Sequence, residues 1–369
     1  MPPFDRAAMD GYAVNATDTR CACSQSPVVL KVAGEIPAGT KGGKKLTEGC
    51  AMSIMTGAVL PANCDGIIKI EDAEEFIENG ERKVRIFKEV KPGQDISFRG
   101  EDLKKGETIL KKGRIVTPVA FAMLAYIGRK RVRVVRKPEV AIVATGDEIK
   151  KVGEKISAGE IYDSNSYGIY GQVLRAGGNP HLLGIARDNP GSLSRSVKRG
   201  LRYDILIMSG GVSVGKYDLV VNVFKESGVK MLFWKVAVKP GKPSFFGKKG
   251  EVVVFGLPGY PVSSYLNFEN LVIFALSKML GQPKPERLKV EASLERELKN
   301  SDDRDSFVRV KIVSEKDRYI AVPHPAQKSG VLRSVVESDG IVHLKRGEMR
   351  AKGEKVTVEL FGTFGLLIS

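Results

Sequence analysis

Val140-Ala141-Ile142-Val143-Ala144, followed at once by Thr145-Gly146-Asp147-Glu148, is the stretch on which the fold of this chain turns. A short, unbroken apolar run has no polar face, so it reads as a strand covered on both sides, the kind found in parallel sheets. Runs of similar character recur at residues 181–186, 204–208 and 251–255. Helical stretches fall between them. One covers residues 166–176 and stops at Gly177-Gly178, a second covers 191–201, and a third covers 219–226 and stops at Gly228. Paired or single glycines just past a periodic stretch are helix stops, because glycine tolerates the left-handed conformation required there. A long apolar helix over 262–280 closes the series. Strand–helix alternation of this length predicts a doubly wound, mostly parallel sheet over residues 138–281.

The flanks read differently. Up to residue 137 the chain is rich in glycine and short β-type runs, such as Pro27-Val28-Val29-Leu30-Lys31-Val32 and Lys83-Val84-Arg85-Ile86-Phe87. One helix is expected over 118–127, with Thr117 as N-cap and Pro118 as first helical residue. After the break Gly281-Gln282-Pro283-Lys284-Pro285 come strand-like runs at 307–313 and 355–360, with Lys352-Gly353-Glu354 as a turn. A small β-barrel or sandwich is the natural reading there. The fold class is therefore α/β multidomain, with β-rich N-terminal domains and a C-terminal β-barrel.

Composition narrows the function. With 369 residues, 42% hydrophobic and 28% charged, the chain is long enough for several globular domains. No apolar run is long enough for a membrane span, and the first residues lack a signal-peptide pattern, so a cytoplasmic protein is expected. Cys21, Cys23, Cys50 and Cys64 lack the partners of a zinc site and read as reduced thiols. The net charge of +16 attracts anions. Its densest run, residues 129–137, alternates with valines like a strand with one solvated face. No aromatic side chains are interleaved to stack on bases. The expected partners are small anionic molecules, not nucleic acid and not a membrane.

In an open α/β sheet, ligands bind outside the carboxyl ends of the strands. Here those ends carry unusual residues. Ser209-Gly210-Gly211-Val212-Ser213-Val214-Gly215 reads as a loop whose backbone amides converge on an anion, or as a plain tight turn. Asp218 opens the next helix, as a cap or as a metal or ligand contact. Glu148 and Asp188 each follow a strand. Clustered carboxylates repel unless a hard cation joins them, and Mg²⁺ bridging phosphate oxygens is the expected device; singly, each acid is an ordinary loop residue. Lys239-Pro240-Gly241-Lys242-Pro243 is a stiff, doubly cationic turn, suited to an oxyanion if both ammonium groups are aimed at one place. Leu257-Pro258-Gly259-Tyr260-Pro261 leads from a strand into the last helix.

Read in order, these segments resemble the MoeA family of molybdopterin molybdenumtransferases, which includes the E domain of gephyrin. The likeness rests on an ordered set: Pro2-Pro3-Phe4-Asp5, Ala8-Met9-Asp10-Gly11-Tyr12-Ala13, Met55-Thr56-Gly57-Ala58, Arg99-Gly100-Glu101-Asp102, Thr145-Gly146-Asp147-Glu148, Ile161-Tyr162-Asp163-Ser164-Asn165, the Gly210–Gly215 loop, Lys239-Pro240-Gly241-Lys242-Pro243 and Pro258-Gly259-Tyr260-Pro261. The resemblance implies four domains: a linker domain from residues 1–25 and 98–137, an inserted β domain over 26–97, the molybdopterin-binding α/β domain over 138–281, and the C-terminal β-barrel over 282–369.

It also implies a homodimer with an inter-subunit site, to which Asp10, Thr56 and Asp102 reach across. The implied reaction inserts molybdate, or tungstate, into adenylylated molybdopterin with release of AMP, assisted by Mg²⁺ or Zn²⁺. On this chain Glu148, Asp188 and Asp218 would hold the metal and the substrate's phosphates. Lys235, Lys239 and Lys242 would hold oxyanion charge, Ser213 and Arg309 would contact molybdate, and Gly210, Gly211, Gly215, Pro258 and Pro261 would line the substrate. The molybdopterin adenylyltransferase is the implied partner enzyme.

Three departures stand out. The helical segment that normally precedes the Pro-Pro-Phe-Asp motif is absent, Tyr260 stands where the family has asparagine, and Lys328 replaces a small residue in Gln327-Lys328-Ser329-Gly330. The alternative function is a catalytically decayed member acting as a molybdopterin-binding or scaffold protein. Retention of Asp10, Asp102, Glu148, Asp188 and Asp218 argues against decay.

Overall fold

The computed structural model describes residues 1–211, 219–315 and 318–365, and the chain divides into two compact units, Met1–Val132 and Arg133–Ser369. The first unit is built on a six-stranded sheet in the order Gly66–Lys69, Gly11–Val14, Cys50–Ile54, Val28–Ile36, Glu81–Ile86, Ala73–Glu78. Successive residues point to opposite faces of a strand, so the sheet carries two cores. Tyr12, Val14, Ala51 and Ile68 pack with Leu30 and Val32 on one side. Ala13, Met52, Ile54 and Ile67 pack with Ile36 on the other. Leu30, Val32 and Ile36 would all share a face in a regular strand. One extra residue between Val32 and Glu35 shifts the register and sends Ile36 to the opposite core. Gly11 is demanded by its neighbour, since a Cβ there would lie 1.9 Å from the Ile68 carbonyl oxygen.

The second unit holds the α/β domain. Its elements are β1 (Glu139–Thr145), α1 (Asn165–Arg175), β2 (Asn179–Ala186), α2 (Pro190–Gly200), β3 (Ile205–Ser209), α3 (Leu219–Glu226), β4 (Lys230–Trp234), β5 (Phe245–Lys249), β6 (Val252–Leu257), α4 (Pro261–Asn267) and α5 (Ile273–Met279). The sheet order is β2-β1-β3-β6-β5-β4. The first four strands run parallel, and β5 runs antiparallel to both of its neighbours, β6 and β4. Along β1, Val140 and Ile142 face Ile169 and Val173 of α1 and Leu276 of α5, whereas Ala141 and Val143 face Leu193 and Val197 of α2 and Phe224 of α3. Helices therefore cover both faces, as the unbroken apolar run requires. Burying each such aliphatic side chain contributes about 1.5–3 kcal/mol. From β1 the chain moves first to β2 on one side and then to β3 on the other. That reversal opens a crevice at the carboxyl ends of β1 and β3.

The long helix expected over 262–280 is continuous but not uniform: a π turn at Phe268–Val272 joins α4 to α5. Glu269 lies in this turn, buried, with its carboxylate accepting from Gln172 Nε2 at 2.6 Å and from Arg175. Widened turns of this kind arise where one extra residue is accommodated in a helix.

The longer strands of the last region are β7 (Glu286–Leu294), β8 (Asp305–Glu315), β9 (Arg318–Pro323), β10 (Gly340–Leu344) and β11 (Lys355–Gly365). Pairing runs β8-β9-β7-β11-β10 and from β10 back to β8, so the chain of hydrogen-bonded neighbours closes on itself. Val308, Val310, Ala321, Val342 and Val358 fill its inside. Two links tie it to the α/β domain. Val238–Lys239 adds as a parallel neighbour to Asp305 and Ser306, and Val262 and Leu266 of α4 pack on Phe307, Val335 and Ile341. Among the described residues no helix is long and apolar enough to cross a membrane.

Candidate active site

The carboxyl ends of β1, β2, β3 and β6 meet the expected acidic and glycine-rich loops. After β1, Gly146 adopts φ +149°, and a Cβ there would lie 2.6 Å from Glu148 Oε2. The Glu148 carboxylate therefore folds back over its own turn, in space that only glycine leaves open. After β2, the Asp188 amide donates to Asp147 Oδ1 at 3.3 Å, and Arg187 Nη1 donates to the Asp147 carbonyl at 2.7 Å. Partial burial, and then the negative charges of Asp147 and Glu148, push the Asp188 carboxyl above its ordinary range. Asp147 stands in the Thr145–Glu148 motif, and the sequence alone gives it no role beyond that. Its place beside Glu148 in the sequence was the available signal. Among the described residues no three His, Cys, Asp or Glu side chains come close enough to hold a metal ion. Asp218, the third expected metal ligand, lies outside the described residues, as do Ser213 and Gly215.

After β3, Gly210 and Gly211 take φ +102° and +64°. Side chains there would collide with the Thr145 carbonyl oxygen and with Val220 Cγ2, each 2.5 Å from the would-be Cβ. After β6, Pro258-Gly259-Tyr260-Pro261 runs beside this loop, with the Cβ position of Gly259 3.6 Å from Gly210 Cα. Pro261 is the first residue of α4. Tyr260 is exposed, and its ring touches the Cβ position of Gly330 at 3.6 Å. Val262 N donates to Ser329 O at 3.1 Å, so the loop that contains Lys328 docks on the start of α4.

The basic turn departs from expectation. Asn267 Nδ2 and Ser244 Oγ both bond the Gly241 carbonyl and fix the turn. The two ammonium groups are nevertheless not aimed at one place. Lys239 Nζ is paired with Asp302 Oδ2 at 3.0 Å, and Arg304 and Lys239 together hold that carboxyl far below its usual range. Lys242 is exposed and has no ion pair among the described residues. Lys235 adopts φ +76° and holds its ammonium 4.2 Å above the Trp234 ring, a cation–π contact. A carboxylate within reach outweighs the stiffness of the turn, and Asp302 is 63 residues from Lys239 in sequence.

Arg309 is only 1% exposed and does not reach outward as expected. It donates to Ser334 Oγ, the Phe307 carbonyl and the Ala326 carbonyl at 3.2–3.4 Å. Burial lowers its pKa to about 10, and no carboxylate among the described residues offsets that burial. Its backbone exchanges bonds with Gln327, at 3.0 Å to Oε1 and 2.9 Å from Nε2. In this conformation it braces the 326–330 loop.

In the first unit, Thr56 N and Oγ1 both donate to Asp10 Oδ1, at 2.6 and 2.7 Å. These bonds lower the Asp10 carboxyl below its usual range. Asp102 is exposed, and its amide donates to the Met1 carbonyl.

Family models match three stretches in order: the MoeA N-terminal region (domain I and II) over residues 1–128, a probable molybdopterin binding domain over 141–278, and the MoeA C-terminal region (domain IV) over 291–361. A molybdopterin molybdenumtransferase of Bacillus subtilis is 35% identical over 94% of this chain and 81% of its own length. The chain belongs to the MoeA family. A putative molybdopterin biosynthesis protein of Methanocaldococcus jannaschii is 36% identical, covering 98% of this chain and 86% of its own. The crystal structure of a molybdopterin biosynthesis MoeA protein from Pyrococcus horikosii superposes with a TM-score of 0.82 at 37% identity, over 98% of this chain and 88% of that one. The MoeA fold, multidomain with few helices and mixed sheets, is thus the frame that holds the residues above.

Proposed function

We propose that this MoeA-family chain inserts molybdate, or tungstate, into adenylylated molybdopterin and releases AMP. One observation carries the reading: Asp147, Glu148 and Asp188 lie at the carboxyl ends of parallel strands, joined by the Asp188 amide on Asp147 Oδ1, and none of the three carboxylates has an ion pair among the described residues. Such an arrangement costs free energy unless a ligand brings positive charge. The donors are all hard oxygens, which suits Mg²⁺ better than Zn²⁺. Glu148 and Asp188 would hold the cation, with Asp218 as the third ligand. The cation would neutralise charge on the phosphoanhydride oxygens. Gly210, Gly211 and Gly259 let the backbone of these loops pack closely on Thr145, Val220 and each other at the strand ends. Lys242, which has no ion pair among the described residues, would supply positive charge for an oxyanion.

The first unit enters the same proposal through a homodimer in which Asp10, Thr56 and Asp102 of the partner subunit complete the site. Support comes from the Pro118–Tyr126 helix, which is apolar all round and has no buried residue, with Val119 77% and Phe121 71% exposed. An apolar helix left in water is an interface in waiting. The four-domain division is retained, with the Gly11–Val14 strand lent to the inserted sheet. The cytoplasm and the molybdopterin adenylyltransferase follow as compartment and supplier.

The test is direct. Purified protein is mixed with adenylylated molybdopterin, molybdate and Mg²⁺, and AMP is measured by chromatography. Release that needs both molybdate and the cation is expected. Binding of molybdopterin without any release would establish the scaffold reading in its place.

A further inference from the structure

Asn165 is the first helical residue of α1, and its N-cap, Ser164, makes no side-chain capping bond. Here that task falls to Asp163, whose Oδ1 accepts from the Ser166 amide at 3.0 Å. The Asn165 amide is turned elsewhere. Its Nδ2 donates to Ser209 Oγ and to the Gly259 carbonyl oxygen, both at 2.8 Å. The carbonyl can only accept, so the NH₂ end of the amide must face it and the orientation is fixed by chemistry. One side chain thus joins the end of β3 to the loop after β6, at the point where Gly210 and Gly259 come into contact. Ser209 Oγ in turn reaches the Pro258 carbonyl at 3.4 Å.

We propose that Asn165 is a positioning residue that clamps the Ser209–Gly211 and Pro258–Gly259 loops together and thereby sets the width of the anion-binding crevice. Gly210 N already donates to the Leu257 carbonyl at 3.0 Å, but Gly210, Gly211 and Gly259 bring no side chain to the junction. Glycine gives the ligand close access but leaves the backbone free, so rigidity must come from outside the loop. Two bonds to one amide supply it. The inference rests on the molybdopterin reading for its ligand but not for its geometry.

Two measurements separate those dependencies. The first is hydrogen–deuterium exchange of peptides covering residues 209–211 and 258–260, with no ligand present. Asn165→Ala should raise exchange in both by roughly tenfold, as the loss of two net hydrogen bonds implies. Peptides from the middle of β3 and β6 should be unchanged. The second is the affinity for adenylylated molybdopterin. It should fall about tenfold in Asn165→Ala and at least as far in Asn165→Asp, whose carboxylate would face the Gly259 carbonyl. Ser209→Ala, which removes one partner, should cost two- to threefold and add nothing in the Asn165→Ala background.

Unchanged exchange in both loops overturns the clamp. Faster exchange with unaltered affinity also overturns it, because the contact would then be structural only. If exchange rises but the unsubstituted protein fails to bind adenylylated molybdopterin, the clamp stands and the substrate assignment falls.

Discussion

Two regions of the second unit carry opposite charge and treat it in opposite ways. At the ends of β1 and β2, partial burial and then the charges of Asp147 and Glu148 raise the Asp188 carboxyl above its ordinary range. Lys235, Lys239, Lys242 and Arg309 gather positive charge too, but three of these four are answered. Lys239 has Asp302, Lys235 has the Trp234 ring, and Arg309 has two carbonyls and a hydroxyl. Lys242 is the exception of the four, with no ion pair among the described residues. The acidic region is built against its own stability and the basic region largely for it. Strain of the first kind persists where function keeps it.

The largest effect should come from the acidic side. Glu148→Ala and Asp188→Ala should each lower AMP release on the order of a hundredfold or more, since each removes charge that organises a transition-state contact. Both variants should fold, judged by circular dichroism. Release within threefold of the unsubstituted protein would place the cation elsewhere and dissolve the contrast.

Arg309 tests the other side through stability. Arg309→Ala leaves the Phe307 and Ala326 carbonyls and Ser334 Oγ without donors and opens a cavity, a loss of about 2–4 kcal/mol in urea unfolding. Arg309→Met keeps the volume and removes a buried charge that no carboxylate offsets. It should stay within about 1 kcal/mol. If Met proves as costly as Ala, the guanidinium bonds outweigh their desolvation. If Met is tolerated and oxyanion binding still falls, Arg309 is kept for the ligand and not for the fold.

How far these regions could be read in advance differs as well. The acidic edge was legible because each acid directly follows a buried apolar run, and parallel strands deliver their carboxyl ends to one side. The same logic placed Gly210, Gly211, Pro258 and Pro261. The basic region was not legible. Pairing between Lys239 and Asp302, and burial of Arg309, depend on contacts between a loop of the α/β domain and strands that follow it by tens of residues, and local pattern holds no trace of them. Antiparallel β4 and β5 also escaped notice, since Lys230–Trp234 and Phe245–Lys249 mix lysines with aromatics in place of a clean apolar run. The Gly11–Val14 strand was missed for a related reason. Four residues carry too little period to separate strand from loop.

The lysines give the third contrast. Both flank the same turn, so sequence alone ranks them equally. Asp302 breaks the tie. Lys242→Ala should weaken molybdate binding roughly tenfold in calorimetric titration, the worth of one charge-assisted hydrogen bond of about 1.5 kcal/mol. Lys239→Ala should cost about threefold or less, because Asp302 already neutralises that ammonium. Equal losses would mean that the ion pair opens when the oxyanion arrives. A loss of molybdopterin affinity with molybdate affinity intact would assign both lysines to the phosphate.

Asp188 supplies the smallest effect and the most diagnostic one. Its carboxyl is raised in the folded protein above the ordinary aspartate value of 3.8. The folded state therefore binds a proton more readily than the unfolded chain does, and the ionised side chain opposes folding at neutral pH. That opposition is present above the folded pKa and fades as pH falls through it, until both states are protonated below 3.8. Asp188→Asn removes the charge with little change of shape. The variant should melt about 1–2 °C above the unsubstituted protein at pH 7, a modest gain because the group is largely solvated. The difference should shrink as pH is lowered, and it should also shrink at pH 7 when millimolar Mg²⁺ is added, since a bound cation stabilises only the protein that retains the carboxylate. Scanning calorimetry across pH, with and without Mg²⁺, reads both. A variant that melts lower at pH 7 would mean that the Asp147–Glu148–Asp188 group is held by favourable contacts, and the acidic region would then be built for stability like its basic counterpart.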